Sequence, residues 1–573
     1  MGKPNIIFFF SDQQRADTMG VYGQELDISP NLDRLAGEGV LFREAFTAQP
    51  VCGPCRAIFQ SGKYPTDIGC FRNGQSLPRD IKTLANYMEE AGYENAYVGK
   101  WHLASDRASY SVPANPDYET SAIPLERRGG YNGFWRVSDV LEATSHGYDG
   151  YVFDENMNKL EFKGYRVDRI NDFALEFIDK YDGEKPFFLT VSHIEPHHQN
   201  DRADYEGPDG SKERFKDCKL PKDLEVLGGD ARQMYPDYET SAIPLERRGG
   251  YNGFWRVSDV LEATSHGYDG YVFDENMNKL EFKGYRVDRI NDFALEFLDK
   301  YDGEKPFFLT VSHIEPHHQN DRADYEGPDG SKERFKDCKL PKDLEVLGGD
   351  ARQMYPDYLG CCKSIDDNFG KLVEKLKEKG LYDNTIIIYS SDHGSHFKTR
   401  NRETYLKGSD DYKRTCHSSA LKVPLIIAGG GFKGGKVVEE VVSTSSIPKT
   451  ILAMAGVDVG EAMIGENLET LIDKETDENK VVYAQISESR LGRCIRSKDY
   501  LYSVYAPESN GWDEDRSDVY EEEFFYDLRK DPYELNNLVN DKSTLEIRKK
   551  LAKKLIEKIE EAGEGKAKII IKE

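Results

Sequence analysis

Four short polar clusters carry the residue types of a catalytic site, and each stands just after an apolar run. Asp12-Gln13 follows Asn5–Phe10, and Lys100-Trp101-His102 follows Ala96–Val98. His193 to His198 follow Phe187–Val191, and Asp392-His393 follows Thr385–Tyr389. Carboxylates, imidazoles and a lysine brought together can bind a cation, grip an anion and move protons. A lone Asp after a strand is more often a turn or cap residue, but four such ends together favour catalysis. Between the first two clusters lies Val51-Cys52-Gly53-Pro54-Cys55-Arg56, a thiol beside a guanidinium that would favour the reactive thiolate. Cys52-x-x-Cys55 also has the spacing of a redox pair or half a zinc site, yet no second Cys-x-x-Cys occurs.

The elements that must position these residues alternate strand and helix, which predicts an α/β fold with a mostly parallel sheet flanked by helices. In such sheets ligands bind beyond the carboxyl ends of the strands, where the four clusters fall. Ser29-Pro30 reads as an N-cap with proline at the first helical position. Thr83 to Ala91 reads as a helix stopped by Gly92. Ile365, Phe369, Leu372, Val373 and Leu376 make a helical stripe ended by Gly380, and an amphipathic helix begins near Glu546. Residues 1–460 are expected to form the catalytic α/β domain and 461–573 a smaller C-terminal α+β subdomain. Tyr502, Tyr505, Trp512, Tyr520, Phe524 and Phe525 suit either a sugar site or that subdomain's core.

Composition narrows the partners. The net charge of −26, from 103 acidic against 77 basic side chains, argues against nucleic acid. No stretch approaches the roughly 18 apolar residues of a membrane helix, so no membrane role is expected. Ile6–Phe10 is too short for the core of a secretory leader. The nine cysteines follow no disulfide-like spacing, and a cytoplasmic location with reduced thiols is expected.

Residues 119–238 and 239–358 are the same sequence twice, at an offset of 120, differing only at Ile178 against Leu298. Solenoid repeats are shorter, more numerous and divergent. This is instead a tandem duplication, bounded by Pro-Asp-Tyr at 116–118, 236–238 and 356–358. A buried strand has one place in a sheet, so the two copies of Lys-Pro-Phe-Phe-Leu-Thr-Val compete. One copy must loop out, pack as an appendage or swap into a homo-oligomer. Copy one, copy two, or the start of one with the end of two would complete the domain.

Cys52-x-Pro54-x-Arg56 followed by an apolar stretch and Ser61-Gly62-Lys63 resembles the signature of the type I, formylglycine-dependent sulfatases of the alkaline phosphatase superfamily. Gly99-Lys100-Trp101-His102, Asp392-His393-Gly394, the block from Lys413 to Leu425 and Phe525-Tyr526-Asp527-Leu528 resemble that family's other blocks, in order. The resemblance runs from residue 5 to about 540, interrupted by the repeat. It implies an alkaline phosphatase-like fold, conversion of Cys52 to formylglycine by a formylglycine-generating enzyme, and a sulfated small molecule or glycan as substrate. It also implies a divalent metal, Ca2+ as first choice, held by Asp12, Gln13, Asp392, His393 and the residue at Cys52. Family members often have Asp where Gln13 stands and Asn where His393 stands, which leaves the metal open.

The same resemblance implies that one hydroxyl of the hydrated aldehyde attacks sulfur with Asp392 as base, while Arg56 and His102 hold the diol. Lys100 and Lys413 would clamp the sulfate, although Lys413 could equally be a solvated surface lysine. His197, or its duplicate His317, would be the acid. His198, His318, Arg400 and His417 are candidate substrate contacts. Two other readings stand beside this one: a phosphonate monoester or phosphodiester hydrolase of the same superfamily, and a duplication product without catalysis.

Overall fold

The computed structural model describes residues 3–107, 118, 121–131, 133–140, 144–163, 172–173, 176–177, 187–192, 265–273, 279–300, 307–313, 315–317, 325, 327–400 and 412–573. Among these, thirteen strands form the main sheet. They are β1 (Asn5–Ser11), β2 (Val40–Phe46), β3 (Glu94–Lys100), β4 (Phe134–Ser138), β5 (Ser145–Phe153), β6 (Lys159–Lys163) and β7 (Phe187–Ser192). The others are β8 (Ser265–Phe273), β9 (Lys279–Lys283), β10 (Phe307–Ser312), β11 (Thr385–Ser391), β12 (Leu425–Ala428) and β13 (Lys436–Ser443).

The centre of the sheet runs β11-β1-β10-β3-β4 with every neighbour parallel, and antiparallel pairs appear only toward its two ends. All seven residues of β1 are buried, as a strand covered on both faces requires. Alternate side chains serve opposite faces. Phe9 meets Phe369 of the helix Ala351–Glu378 on one side, while Phe8 and Phe10 meet Phe59 of the helix Cys52–Ser61 on the other.

Two helix starts differ in how they are capped. Thr83 caps Leu84–Glu90 in a reciprocal box with Asn86. Ser29 does not cap Pro30–Glu38; its hydroxyl donates to Asp33 at 3.1 Å. The free N–H groups of that helix go instead to Asp366, which accepts from Asn31 at 3.2 Å and Leu32 at 2.8 Å.

Both copies enter the main sheet, and β7 of copy one pairs with β3 from Glu94↔Phe187 to Gly99↔Ser192. Copy one supplies β4, β5 and β6, with buried Arg136 held by Glu155 and Glu176. Copy two supplies the helix Arg286–Lys300, β10 and the chain leading into Ala351–Glu378. The competition expected for the buried strand is visible in the register: Glu94 is the parallel partner of Phe187 and of Phe307 alike. One strand edge offers one row of N–H and C=O groups, so seating one copy excludes the other. β10 also continues onto β1, from Ile6↔Phe308 to Phe10↔Ser312. The surplus hairpin β8–β9 lies parallel against its twin β5–β6, with Phe162 stacked on Phe282.

A second sheet, β14 (Val482–Ile486), β15 (Gly492–Arg496), β16 (Tyr500–Tyr505), β17 (Val519–Asp527) and β18 (Lys568–Ile570), has its own core. The helix Leu545–Glu561 lays Leu551, Leu555 and Ile559 into that core with Tyr502, Tyr520 and Phe525. These aromatic residues are therefore packing residues. Gln485 of β14 donates from its backbone to Ala48, four residues before Cys52, so this sheet abuts the segment that carries Cys52. Among the described residues no helix is long and apolar enough to cross a membrane, and eight cysteines are free and buried.

Candidate active site

Asp12 leaves the end of β1, Asp392 and His393 leave the end of β11, and Cys52 opens the helix Cys52–Ser61. Because β1 and β11 are parallel and in register at Ser11↔Ser391, their following residues emerge side by side. All four side chains are fully buried, and one ligand atom from each lies within 4.8 Å of the others. His393 Nε2 is 3.2 Å from Cys52 Sγ, 3.3 Å from Asp12 Oδ1 and 3.5 Å from Asp392 Oδ1. Nδ1 of the same ring lies 3.0 Å from the Gly394 carbonyl, a contact that directs Nε2 to the cluster. Gln13 adopts the left-handed backbone at φ 70° and gives its N–H to Asp392 at 3.1 Å.

Basic groups surround these carboxylates. Arg56 donates to Asp12 at 3.0 Å and to the Lys100 carbonyl at 2.8 Å, and it contacts Ser192. Lys100 Nζ stands 3.4 Å from Asp12. Burial alone would raise the Asp12 carboxyl, but Lys100, His393 and Arg56 outweigh it and hold the group well below the usual carboxylate range. Burial and the neighbouring Asp12 raise Asp392 instead. The two carboxyls thus differ in proton affinity, as an acid–base site requires. Burial and the cations Lys100 and Arg56 push His102 well below an ordinary imidazole, so it stays neutral.

Lys413 is fully buried, and its Nζ lies 3.1 Å from Cys52 Sγ and 2.7 Å from His317 Nε2. The surface-lysine alternative does not hold. His317 also lies 3.9 Å from Asp12, so copy two delivers its histidine into the cluster. His197, His198 and His318 lie outside the described residues. His313, the duplicate of His193, packs against Phe9 as a buried core histidine. Trp101 is likewise core, against Tyr97 and Trp135.

Two expected substrate contacts are corrected. Arg400 donates to the carbonyls of Glu534 at 2.8 Å and Tyr533 at 3.0 Å, which commits it to joining the two sheets. His417 is buried with Nδ1 on Thr415 at 2.7 Å and Nε2 on Tyr526 at 3.1 Å, leaving no ring nitrogen for a ligand. Three residues near the site were not singled out from the sequence. Asp139, just after β4, takes the N–H groups of Ala104 and Ser105. Its position after a strand was the available signal. Asn73 and Glu488 sit in loops, with no pattern to mark them.

The donor set fits a divalent cation: two carboxylates, an imidazole directed by its other nitrogen, and a fourth group at position 52. His102 Nδ1 is buried with no hydrogen-bond partner among the described residues.

Comparison with known proteins agrees with this geometry. The family model described as sulfatase matches residues 4–241 and again 226–457, and the model for the C-terminal part of N-sulphoglucosamine sulphohydrolase matches 410–561. An N-acetylglucosamine-6-O-sulfatase of Bacteroides thetaiotaomicron is 24% identical over 94% of this chain and 82% of its own length. Among solved structures, the Bacteroides fragilis protein yidJ, assigned to the sulfatases, aligns with a TM-score of 0.63 at 18% identity, covering 98% of this chain and 96% of the other. A phosphonate monoester hydrolase from Silicibacter pomeroyi aligns with a TM-score of 0.55 at 18% identity, over 98% of this chain and 96% of that one. These two likenesses speak for the alkaline phosphatase-like fold.

Proposed function

The chain belongs to the sulfatase family, enzymes that hydrolyse sulfate esters, and from that premise we propose that its substrate is a sulfated carbohydrate and that Cys52 acts after conversion to formylglycine. The observation that carries this reading is the buried meeting of Lys413, His393 and Asp12, each within hydrogen-bond reach of Cys52. The carbohydrate part rests on the relative that acts on N-acetylglucosamine 6-sulfate and on the match to a glycan-sulfohydrolase C-terminal model.

Formylglycine at position 52 would supply a hydrated aldehyde as nucleophile. A divalent cation, calcium first, would be held by Asp12, Asp392 and His393 with Gln13 beside them, and would draw off negative charge from the sulfate group. Asp392, with its raised proton affinity, is suited to take a proton from the nucleophile. Lys100, Lys413 and Arg56 would supply fixed positive charge against the negative charge on the sulfate oxygens. His317, beside Lys413, would return a proton to the leaving alcohol. Overall, a C–O–sulfate ester and water give the free alcohol and hydrogen sulfate.

The test is co-expression with a formylglycine-generating enzyme, peptide mass across Cys52, and turnover of an aryl sulfate against an aryl phosphonate. Conversion of Cys52 with sulfate turnover lost in Cys52→Ala supports the proposal. An unconverted thiol with full phosphonate turnover overturns it and favours the phosphonate hydrolase reading.

A further inference from the structure

The nucleophile sits at a helix N-terminus that lacks its own cap. Val51 occupies the capping position, and its side chain has no oxygen to offer the N–H groups of the first turn. The cap comes from a distance: Asn73 Oδ1 accepts the Gly53 N–H at 2.9 Å. A Cβ on Gly53 would stand 3.0 Å from that oxygen and 3.3 Å from the His102 carbonyl, so the glycine permits this close approach.

Asn73 is in turn fixed from the other sheet. Its N–H donates to Glu488 Oε1 at 2.7 Å, and the second oxygen of Glu488 pairs with Arg414, the residue next to Lys413. Glu488 is 4% exposed and stands in the loop between β14 and β15, in a left-handed conformation at φ 63°. Its own N–H is held by the Gly511 carbonyl at 2.8 Å. Gly511 lies so close to Arg490 that a Cβ there would come within 2.2 Å of its backbone. Ser489 adds a hydrogen bond to the Arg414 carbonyl at 2.8 Å. A non-glycine residue held in this conformation by its surroundings is strain of the kind found where geometry matters.

We propose that Glu488, from the C-terminal sheet, is a positioning residue for the sulfate-ester reaction, holding the cap of the Cys52 helix through Asn73 and the Lys413 segment through Arg414. It touches neither Cys52 nor Lys413. It fixes the two backbones that carry them, so the second sheet becomes part of the catalytic apparatus. The kinetic side of this proposal rests on the sulfatase reading; the structural tie does not.

The experiment uses the full-length chain, quantified for Cys52 conversion by peptide mass, as wild type, Glu488→Ala, Glu488→Gln and Asn73→Ala. Two quantities are read: kcat and KM on an aryl sulfate per converted chain, and amide hydrogen exchange of the peptide beginning at Cys52. Glu488→Ala is expected to lower kcat about tenfold or more, because small displacements of reacting groups are costly. KM should change by less than about threefold. Exchange at Gly53 should quicken in Glu488→Ala and Asn73→Ala. Glu488→Gln, whose amide oxygen can still accept from Asn73, should restore Gly53 protection. Unchanged kcat at equal conversion, or unchanged Gly53 exchange, overturns the proposal. If Glu488→Ala fails to fold, Glu488→Gln and Asn73→Ala decide by the same two quantities. If the wild type itself turns over no aryl sulfate, the sulfatase reading fails, and the exchange pattern alone still decides the tie.

Discussion

Lys413 Nζ lies 2.7 Å from His317 Nε2, joining a lysine outside the repeat to a histidine of its second copy. His317 of copy two thus reaches the cluster, on the same chain that carries β10 onto β1, while Ser192 of copy one contacts Arg56. His317→Ala is expected to cost roughly 10²–10⁴ in kcat on a substrate with a poor leaving group. His197→Ala should stay within about twofold of wild type. Steady-state kinetics of the two variants checks this, and the reverse pattern would seat copy one.

Lys413→Met removes the charge while keeping much of the side chain's length. With the lysine 3.1 Å from Cys52 Sγ and fully buried, it is aimed at groups bound to that residue. Loss of one such preorganised donor costs on the order of 10²–10³ in kcat. Binding of a non-hydrolysable sulfate analogue should weaken much less than kcat falls. Equal losses in both would reduce Lys413 to a ground-state anion contact.

Metal loading should release a proton. Burial opposes the charge on His393, but Asp392 and the Asp12 hydrogen bond prevail and its pKa is pushed up to about 10. At neutral pH the ring therefore holds a proton that a cation must displace to use Nε2. Apparent affinity should rise about tenfold per pH unit from 7 toward 9, while this proton is the one lost. Calorimetry in two buffers of different ionisation enthalpy reads the proton directly. His393→Asn should abolish the release, and an unchanged proton count would remove His393 from the ligand set.

Much of the site was legible because its residues end unbroken apolar strands. Nothing but catalysis or a turn explains Asp12 after Ile6–Phe10, or Asp392 after Thr385–Tyr389. The rest is hidden by tertiary partners. β4 escapes an apolar scan because Arg136 interrupts it, and that charge is tolerated only through Glu155 and Glu176. The helix Ala351–Glu378 begins before Pro356, a residue that costs about 3 kcal/mol in a helix interior and so reads as a boundary. Arg400 and His417 have the chemistry of ligand contacts but face carbonyls, a threonine and a tyrosine. Glu488 acts through Asn73, and no local spacing links two loops separated by over 400 residues.

Asp366 gives a pH signature of stability. Burial raises its carboxyl to about 7 despite the N–H groups of Asn31 and Leu32 that favour the charged form. The folded value lies above the ordinary 3.8, so the stabilising protonated form is fully held below that value. This contribution fades as pH rises through 7, at up to roughly 1.4 kcal/mol per unit. Asp366→Asn keeps the acceptor oxygen and removes the titration. Chemical denaturation of the variant should show a flatter stability profile between pH 4 and 8 than wild type.

The final prediction concerns the surplus sequence itself. Lys163 and Lys283 are equivalent positions of the repeat and end neighbouring parallel strands, β6 and β9. Joining residue 163 to residue 284 removes 120 residues and leaves the 453-residue chain that either single copy would give, apart from the choice at Ile178 or Leu298. In that chain β10 has no rival for the edge of β3, and the hairpin β8–β9 no longer stacks on its twin. The entropy of ordering a second copy is also avoided. The shortened chain should therefore unfold in one cooperative step at a temperature about 1–2 °C higher, for roughly 1–2 kcal/mol of added stability. Sulfate turnover per converted Cys52 should equal or exceed that of the full chain. Scanning calorimetry and kinetics on the two proteins decide it. A shortened chain that folds but loses turnover would show that both copies contribute to the site.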